Sequence, residues 1–124
     1  MVSHIGIEIT EIGDDYICGT MPVDNRTVQP YGILHGGASV VLAESLGSLA
    51  GNLACEEGLL CVGLEINANH IKQVTDGIVK GKASVVHIGR TTQIWDIKIT
   101  KNEKIICISR LTLAVIEKKE QDDS

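Results

Sequence analysis

Residues 36–55, GGASVVLAESLGSLAGNLAC, decide the fold. The stretch contains no Pro, and its larger apolar residues, Ala38, Val41, Leu42, Leu46, Leu49 and Leu53, recur at helical spacing. It reads as one helix, about 30 Å long at 1.5 Å per residue. Glu44 sits in its middle, and three Ser, one Asn and four Gly dilute the apolar content, which argues against a membrane span. A helix apolar over most of its circumference needs cover on more than one side.

The flanking sequence supplies that cover as strands. Upstream, residues 5–9 (IGIEI) alternate, and after the turn-like Gly13-Asp14-Asp15 a second run, Tyr16 to Val23, predicts a hairpin. Residues 24–34, DNRTVQPYGIL, carry loop-forming Asp, Asn, Pro and Gly. Downstream, Leu59 to Ile71 alternates, with Val62, Leu64, Ile66, Ala68 and His70 on one face and Gly63, Glu65, Asn67 and Asn69 on the other. Ile78 to Ile88 sets Val79, Gly81, Ala83 and Val85 opposite Lys80, Lys82 and Ser84. Thr92 to Thr100 and Lys104 to Ile116 follow as a hairpin across Lys101-Asn102-Glu103-Lys104. The expectation is an α+β chain with a single domain over 1–124. An antiparallel sheet of about six strands wraps around one long central helix, and the polar tail from Glu117 frays. The edges of such an open sheet favour self-association.

The chain has 124 residues, 13.3 kDa and 44% hydrophobic content, enough to build a core without disulfide or metal. The only aromatics are Tyr16, Tyr31 and Trp95, so the core is aliphatic, which favours strands. Cys18, Cys55, Cys61 and Cys107 form no C-x-x-C pair and read as small buried apolar residues. With no signal pattern in MVSHIGIEIT, a cytoplasmic protein with reduced thiols is expected. The net charge of −5 disfavours nucleic acid and anionic membrane as partners. Residues 1–62 carry eight acids and one base, whereas residues 63–124 carry eight acids and ten bases. The basic half could receive a phosphorylated ligand, or its charges could simply solvate strand faces.

Glu44 is the only Asp, Glu, Lys or Arg in the twenty-nine residues from Thr27 to Cys55. A lone carboxylate there is either functional or the wet face of an ordinary amphipathic helix. At 100° per residue it shares a side with Gly37, Ser48, Gly51 and Asn52, a small polar face with room for a ligand or another backbone. His35-Gly36-Gly37 opens the helix, where free N–H groups and the positive end of the macrodipole suit a developing oxyanion. Gly36 and Glu44 are about 12 Å apart along the axis, so a dimer facing Gly36 of one chain with Glu44 of the other would unite them. His70 reads as a core histidine unless a ligand engages it. The His and Cys spacings predict no metal site.

The run Gln29-Pro30-Tyr31-Gly32-Ile33-Leu34-His35-Gly36-Gly37, continuing through Ala38 to Ser45, resembles the hotdog-fold acyl-CoA thioesterases, in particular the branch acting on aryl-CoA esters. Residues 62–70 (VGLEINANH) and 87–95 (HIGRTTQIW) resemble the same branch, and the likeness spans roughly residues 5–116. The resemblance implies hydrolysis of an aromatic acyl-CoA such as 1,4-dihydroxy-2-naphthoyl-CoA or 4-hydroxybenzoyl-CoA, the former tied to quinone biosynthesis. It implies Glu44 as nucleophile or general base, the Gly36 N–H as oxyanion donor, Gln29 and His35 orienting the thioester, and Ser48 positioning water. Gly63, then His70, Ile71, Lys72 and Gln73, then His87, Ile88, Gly89, Arg90, Thr91 and Thr92 match stretches that contact substrate and CoA, with Arg90 as the phosphate contact. No cofactor is implied beyond the CoA of the substrate, and the assembly implied is a dimer paired into a tetramer. Close relatives carry an N-terminal helical extension over the acyl end, and this sequence begins almost at the first strand, so a more open acyl pocket is expected. Two alternatives stay open: a dehydratase of hydroxyacyl thioesters on the same fold, and a non-catalytic acyl-CoA sensor.

Overall fold

The computed structural model describes residues 4–118. Its elements are β1 (Glu8–Ile12), β2 (Tyr16–Pro22), α1 (Gly36–Ala54), β3 (Leu59–His70), β4 (Ile78–Ile88), β5 (Thr92–Lys101) and β6 (Lys104–Glu117). The strands form one antiparallel sheet in the order β1-β2-β4-β5-β6-β3, and α1 packs on β2, β3, β4, β5 and β6. The sheet wraps the helix as the sequence implies. No helix among the described residues is long and apolar enough to cross a membrane.

The inward side chains alternate along each strand: Ile17 on β2, Val79 and Ala83 on β4, Trp95, Ile97 and Ile99 on β5, Leu111 and Leu113 on β6, all at most 2% exposed. The β5–β6 turn places Asn102 and Glu103 at φ 50° and 68°, the paired left-handed residues of a tight two-residue hairpin.

Four expectations are corrected. The first strand begins at Glu8, because Gly6 turns the chain at φ 83°. The alternation of Ile5 and Ile7 reflects core contacts made by a turn. Secondly, in β3 the pairing passes from Gly63↔Leu113 to Glu65↔Thr112, so Leu64 is an extra residue and the parity reverses at a bulge. Val62 and Leu64, 40% and 60% exposed, therefore point away from the helix, and Gly63 joins Ile66 and Ala68 on the helix side. Thirdly, the expected fray stops short of Glu117, which ends β6. The Lys118 N–H donates to the Gly58 carbonyl, and the rest of the tail lies outside the described residues.

The fourth correction concerns the helix. Its buried residues are Ser39, Leu42, Ala43, Leu46, Gly47, Ala50 and Gly51, an arc turned by roughly 90–100° from the one its large aliphatics mark. Leu53 is 58% exposed, and Gly51, expected beside Glu44, faces the core. The cause is close approach. A Cβ on Gly47 would lie 2.5 Å from Leu111 Cδ2, and one on Gly51 would lie 2.3 Å from Leu113 Cδ1 and 2.8 Å from Gln93 Oε1. The helix meets the sheet over these glycines because bulky inward side chains leave no room for more.

Gly51→Ala should therefore destabilise the protein despite gaining helix propensity. That gain is about 1 kcal/mol, against an overpacking cost of roughly 1–3 kcal/mol. Urea denaturation should give a lower midpoint, and a higher one would disprove the close approach.

Candidate active site

The helix N-terminus is held by a chain of local bonds. Thr27, 2% exposed, donates its hydroxyl to the Pro22 carbonyl at 2.8 Å and accepts from the Asp24 N–H at 3.1 Å. Arg26 pairs with Asp24 at 2.7 Å, and its guanidinium hydrogen bonds hold the Asp24 carboxyl below its ordinary value. The His35 N–H donates to the Thr27 carbonyl at 2.7 Å, and the Leu34 N–H to the Val74 carbonyl at 2.7 Å. Gln29 sits in the turn between Val28 and Leu34, which form an isolated bridge, and its Oε1 accepts from the Tyr31 N–H.

His35 is the N-cap. Its backbone is extended, and its Nδ1 accepts from the Gly37 N–H at 2.8 Å. The bond requires an unprotonated Nδ1. The Gly36 N–H has no acceptor among the described residues, as an opening helical donor would not. Gly36 lies against His70: a Cβ there would stand 3.2 Å from His70 Nε2. His70 is thus exposed at the rim of a cleft, which corrects the reading of it as a core histidine. The core ends at its partner Cys107, 1% exposed, and the ring lies beyond that edge.

The structure brings Gly36, His70, Ile71, Lys72 and Gln73 together around a cavity of about 340 Å³, with Ser39, Ile33, Leu34 and Ile106 completing the wall. Ser39 escaped the sequence reading, although its position one turn after Gly36 was a legible signal. A second, mostly apolar cavity of about 390 Å³ lies on the other side of His35 and Gly37, lined by His4, Ile5, Arg26, Val28, Ala38 and Val41 among others.

Glu44 lines neither cavity. It is exposed on the single chain, and its Oε2 lies 3.4 Å from where a Cβ on Gly63 would stand. The β3 bulge creates this contact by turning Gly63 to the helix side. Ser48, half-buried, follows one turn along. The stretch from His87 to Thr92 is not brought to Gly36. Ile88, Gly89 and Arg90 line a cavity with Ala54 and Cys55 at the other end of the helix, about 27 Å away at 1.5 Å per residue.

A match to the thioesterase superfamily runs over residues 31–108. A 1,4-dihydroxy-2-naphthoyl-CoA hydrolase of Escherichia coli is 50% identical over 117 residues, covering 94% of this chain and 86% of that protein. A thioesterase structure from Haemophilus influenzae superposes with a TM-score of 0.93 at 55% identity, covering 98% of this chain and 85% of that one. A Staphylococcus aureus protein, 36% identical, has been solved as a Glu→Ala variant (TM-score 0.90, 94% of this chain and 98% of that one). Its Gln→Ala variant gives a TM-score of 0.88 over 92% of this chain and 96% of that one. The two substituted positions lie fifteen residues apart, as Gln29 and Glu44 do here.

His35→Ala should remove the cap and lower unfolding stability by about 1 kcal/mol. His35→Asn, whose side chain can accept the same N–H, should retain most of it. Equal stability of all three proteins in denaturant titration would show that the cap contributes nothing.

Proposed function

This chain belongs to the thioesterase superfamily, a hotdog-fold enzyme of thioester hydrolysis, and from that premise we propose that it hydrolyses an aromatic acyl-CoA to the free carboxylate and CoA. The first candidate substrate is 1,4-dihydroxy-2-naphthoyl-CoA, the ester in the name of the Escherichia coli relative, which would place the enzyme in menaquinone biosynthesis. A hydroxybenzoyl-CoA-like ester is the next. The reading is of a cytoplasmic enzyme using no cofactor or metal and engaging neither nucleic acid nor membrane.

The observation that carries the mechanism is the separation of donor and carboxylate. Gly36, whose N–H has no acceptor among the described residues, lines a cleft that Glu44 does not, and the two are about 12 Å apart along one helix axis. A homodimer in which Glu44 of the partner subunit meets the Gly36 cleft supplies both to one thioester. The Gly36 N–H polarises the carbonyl and holds the oxyanion. Glu44, ionised, attacks the carbonyl carbon or takes a proton from the attacking water, and Ser48 positions that water. Gln29 and His35 orient the thioester. Gly63, His70, Ile71, Lys72 and Gln73 follow the acyl and pantetheine portions. His87 to Thr92, with Arg90 on a phosphate, take the nucleotide end.

The distance from the Gly36 cleft to Arg90 within one chain supports the same conclusion, since residues from both ends of the helix then serve one substrate only across subunits. β3, an edge strand, is available for such pairing. Two dimers would make the tetramer.

Release of CoA thiol from 1,4-dihydroxy-2-naphthoyl-CoA, 4-hydroxybenzoyl-CoA, benzoyl-CoA and a medium-chain acyl-CoA tests the reading. An aryl ester should be preferred, and Glu44→Ala should cut turnover by about 10²–10⁴-fold with the fold retained. Unchanged turnover would remove Glu44 from the mechanism, and enoyl-thioester formation from a 3-hydroxyacyl-CoA added to the panel would redirect the assignment to dehydration. Co-refolded Glu44→Ala and Gly36→Val chains, each inactive alone, should regain activity in hybrid dimers. No recovery would refute the shared site.

A further inference from the structure

The sequence reading treats the cysteines as scattered apolar filler, but the fold brings two of them into contact. Cys55, the C-cap of α1, and Cys61, near the start of β3, place their Sγ atoms 2.9 Å apart, about 0.9 Å beyond disulfide bonding distance. Both are free thiols. The connection between them, residues 56–60, turns at Gly58 with φ 88°, and the Cys61 N–H donates to Asn52 Oδ1 at 2.9 Å, fixing the strand to the last turn of the helix.

The two sulfurs differ in their surroundings. Cys61 is buried, and its Sγ donates to the Gly51 carbonyl oxygen at 3.5 Å. Burial, and then the hydrogen bond to Cys55, push its thiol up to about 12. Cys55 is half-buried and lines a surface cavity of about 150 Å³ whose wall includes Glu56, Gly89 and Arg90. Its Sγ accepts from Gln93 Nε2 at 3.6 Å, and the Gln93 Oε1 accepts from Trp95 Nε1 at 2.9 Å. A buried amide, held by Trp95, thus aims an N–H at the more accessible sulfur. Cys18 and Cys107 are buried on β2 and β6 and take no part in this cluster.

We propose that Cys55 and Cys61 form a dithiol site for oxidants of the peroxide class, closing an intrachain disulfide between the C-terminus of α1 and β3. The Cys55 sulfur attacks one oxygen of hydrogen peroxide; the O–O bond breaks and water leaves, giving a sulfenic acid. The Cys61 sulfur then attacks the Cys55 sulfur. An S–S bond forms, the S–O bond breaks, and the departing hydroxide takes the Cys61 proton as a second water. Two thiols lose two electrons and two protons, and one peroxide becomes two waters. Glu44 lies eleven residues along the helix from Cys55, about 16 Å away, so the bond forms without touching the proposed catalytic carboxylate.

The test is mild hydrogen peroxide treatment of the full chain, followed by intact mass and a non-reducing map after cleavage at Glu56 and Glu57, which separates the two cysteines. The expected result is a loss of about 2 Da, a Cys55–Cys61 cross-link, and a melting temperature raised by roughly 5 °C and restored by dithiothreitol. Cys18→Ser and Cys107→Ser should behave as wild type, and Cys55→Ser should not form the bond. Because Cys61→Ser alters a buried site, the wild-type map is the deciding measurement. Gain of two or three oxygens, a cross-link to Cys18 or Cys107, an intermolecular disulfide, or no change in mass would each overturn the proposal.

Discussion

The approach of α1 to the sheet over Gly47 and Gly51 is the contact on which the remaining architecture depends. Leu111, Leu113 and Ile97 occupy the space that side chains at those helix positions would need. Hydrophobic burial drives the helix inward until backbone meets side chain, and interiors packed near crystal density leave no slack for even one methyl group. That seating sets the rotation of the helix, and the rotation sends Glu44 outward while keeping Leu42 and Leu46 in the core. A residue with a Cβ at Gly51 would shift the helix and the carboxylate with it.

The second constraint is the bulge at Leu64. One extra residue in β3 lets Cys61 and Gly63 face the helix before it and Ile66 and Ala68 after it. The consequence is local and chemical: a residue without a side chain stands opposite Glu44, leaving the carboxylate uncovered. At the other end of the strand, His70 reaches the Gly36 cleft because β3 outruns the core. One strand therefore serves both the carboxylate and the helix N-terminus, and the same strand forms the sheet edge.

Polar groups hold the two ends of the helix in different ways. At the N-terminus, Thr27, Asp24, Arg26 and the His35 imidazole form a run of short-range bonds that leaves one N–H, that of Gly36, open to a ligand. At the C-terminus, Gln93, Trp95, Asn52 and the paired thiols close the end, with no buried side-chain polar atom among the described residues left without a partner. An open donor end and a closed end suit a helix that presents its first turn to substrate and anchors its last turn in the core.

Periodicity made the helix, the strand count and the loop at 24–34 legible, because alternation and helical spacing are local properties of the chain. The His-Gly-Gly opening of the helix and the isolation of Glu44 on it were legible for the same reason. The helix rotation, the exposure of Leu53, the contact of Gly63 with Glu44 and the pairing of Cys55 with Cys61 were not. Each depends on volumes contributed by residues distant in sequence: Leu113 against Gly51, or Thr112 opposite Glu65 once the bulge has shifted the register. The start of β1 was misplaced because a turn at Gly6 can bury Ile5 and Ile7 at the same spacing as a strand. The sequence by itself determined which segments become helix and strand and where the isolated carboxylate and the glycine-opened helix start lie along the chain. Only the tertiary structure decided which way each face points, because packing against distant side chains, not local propensity, selects among rotations and registers that the chain alone leaves equally open.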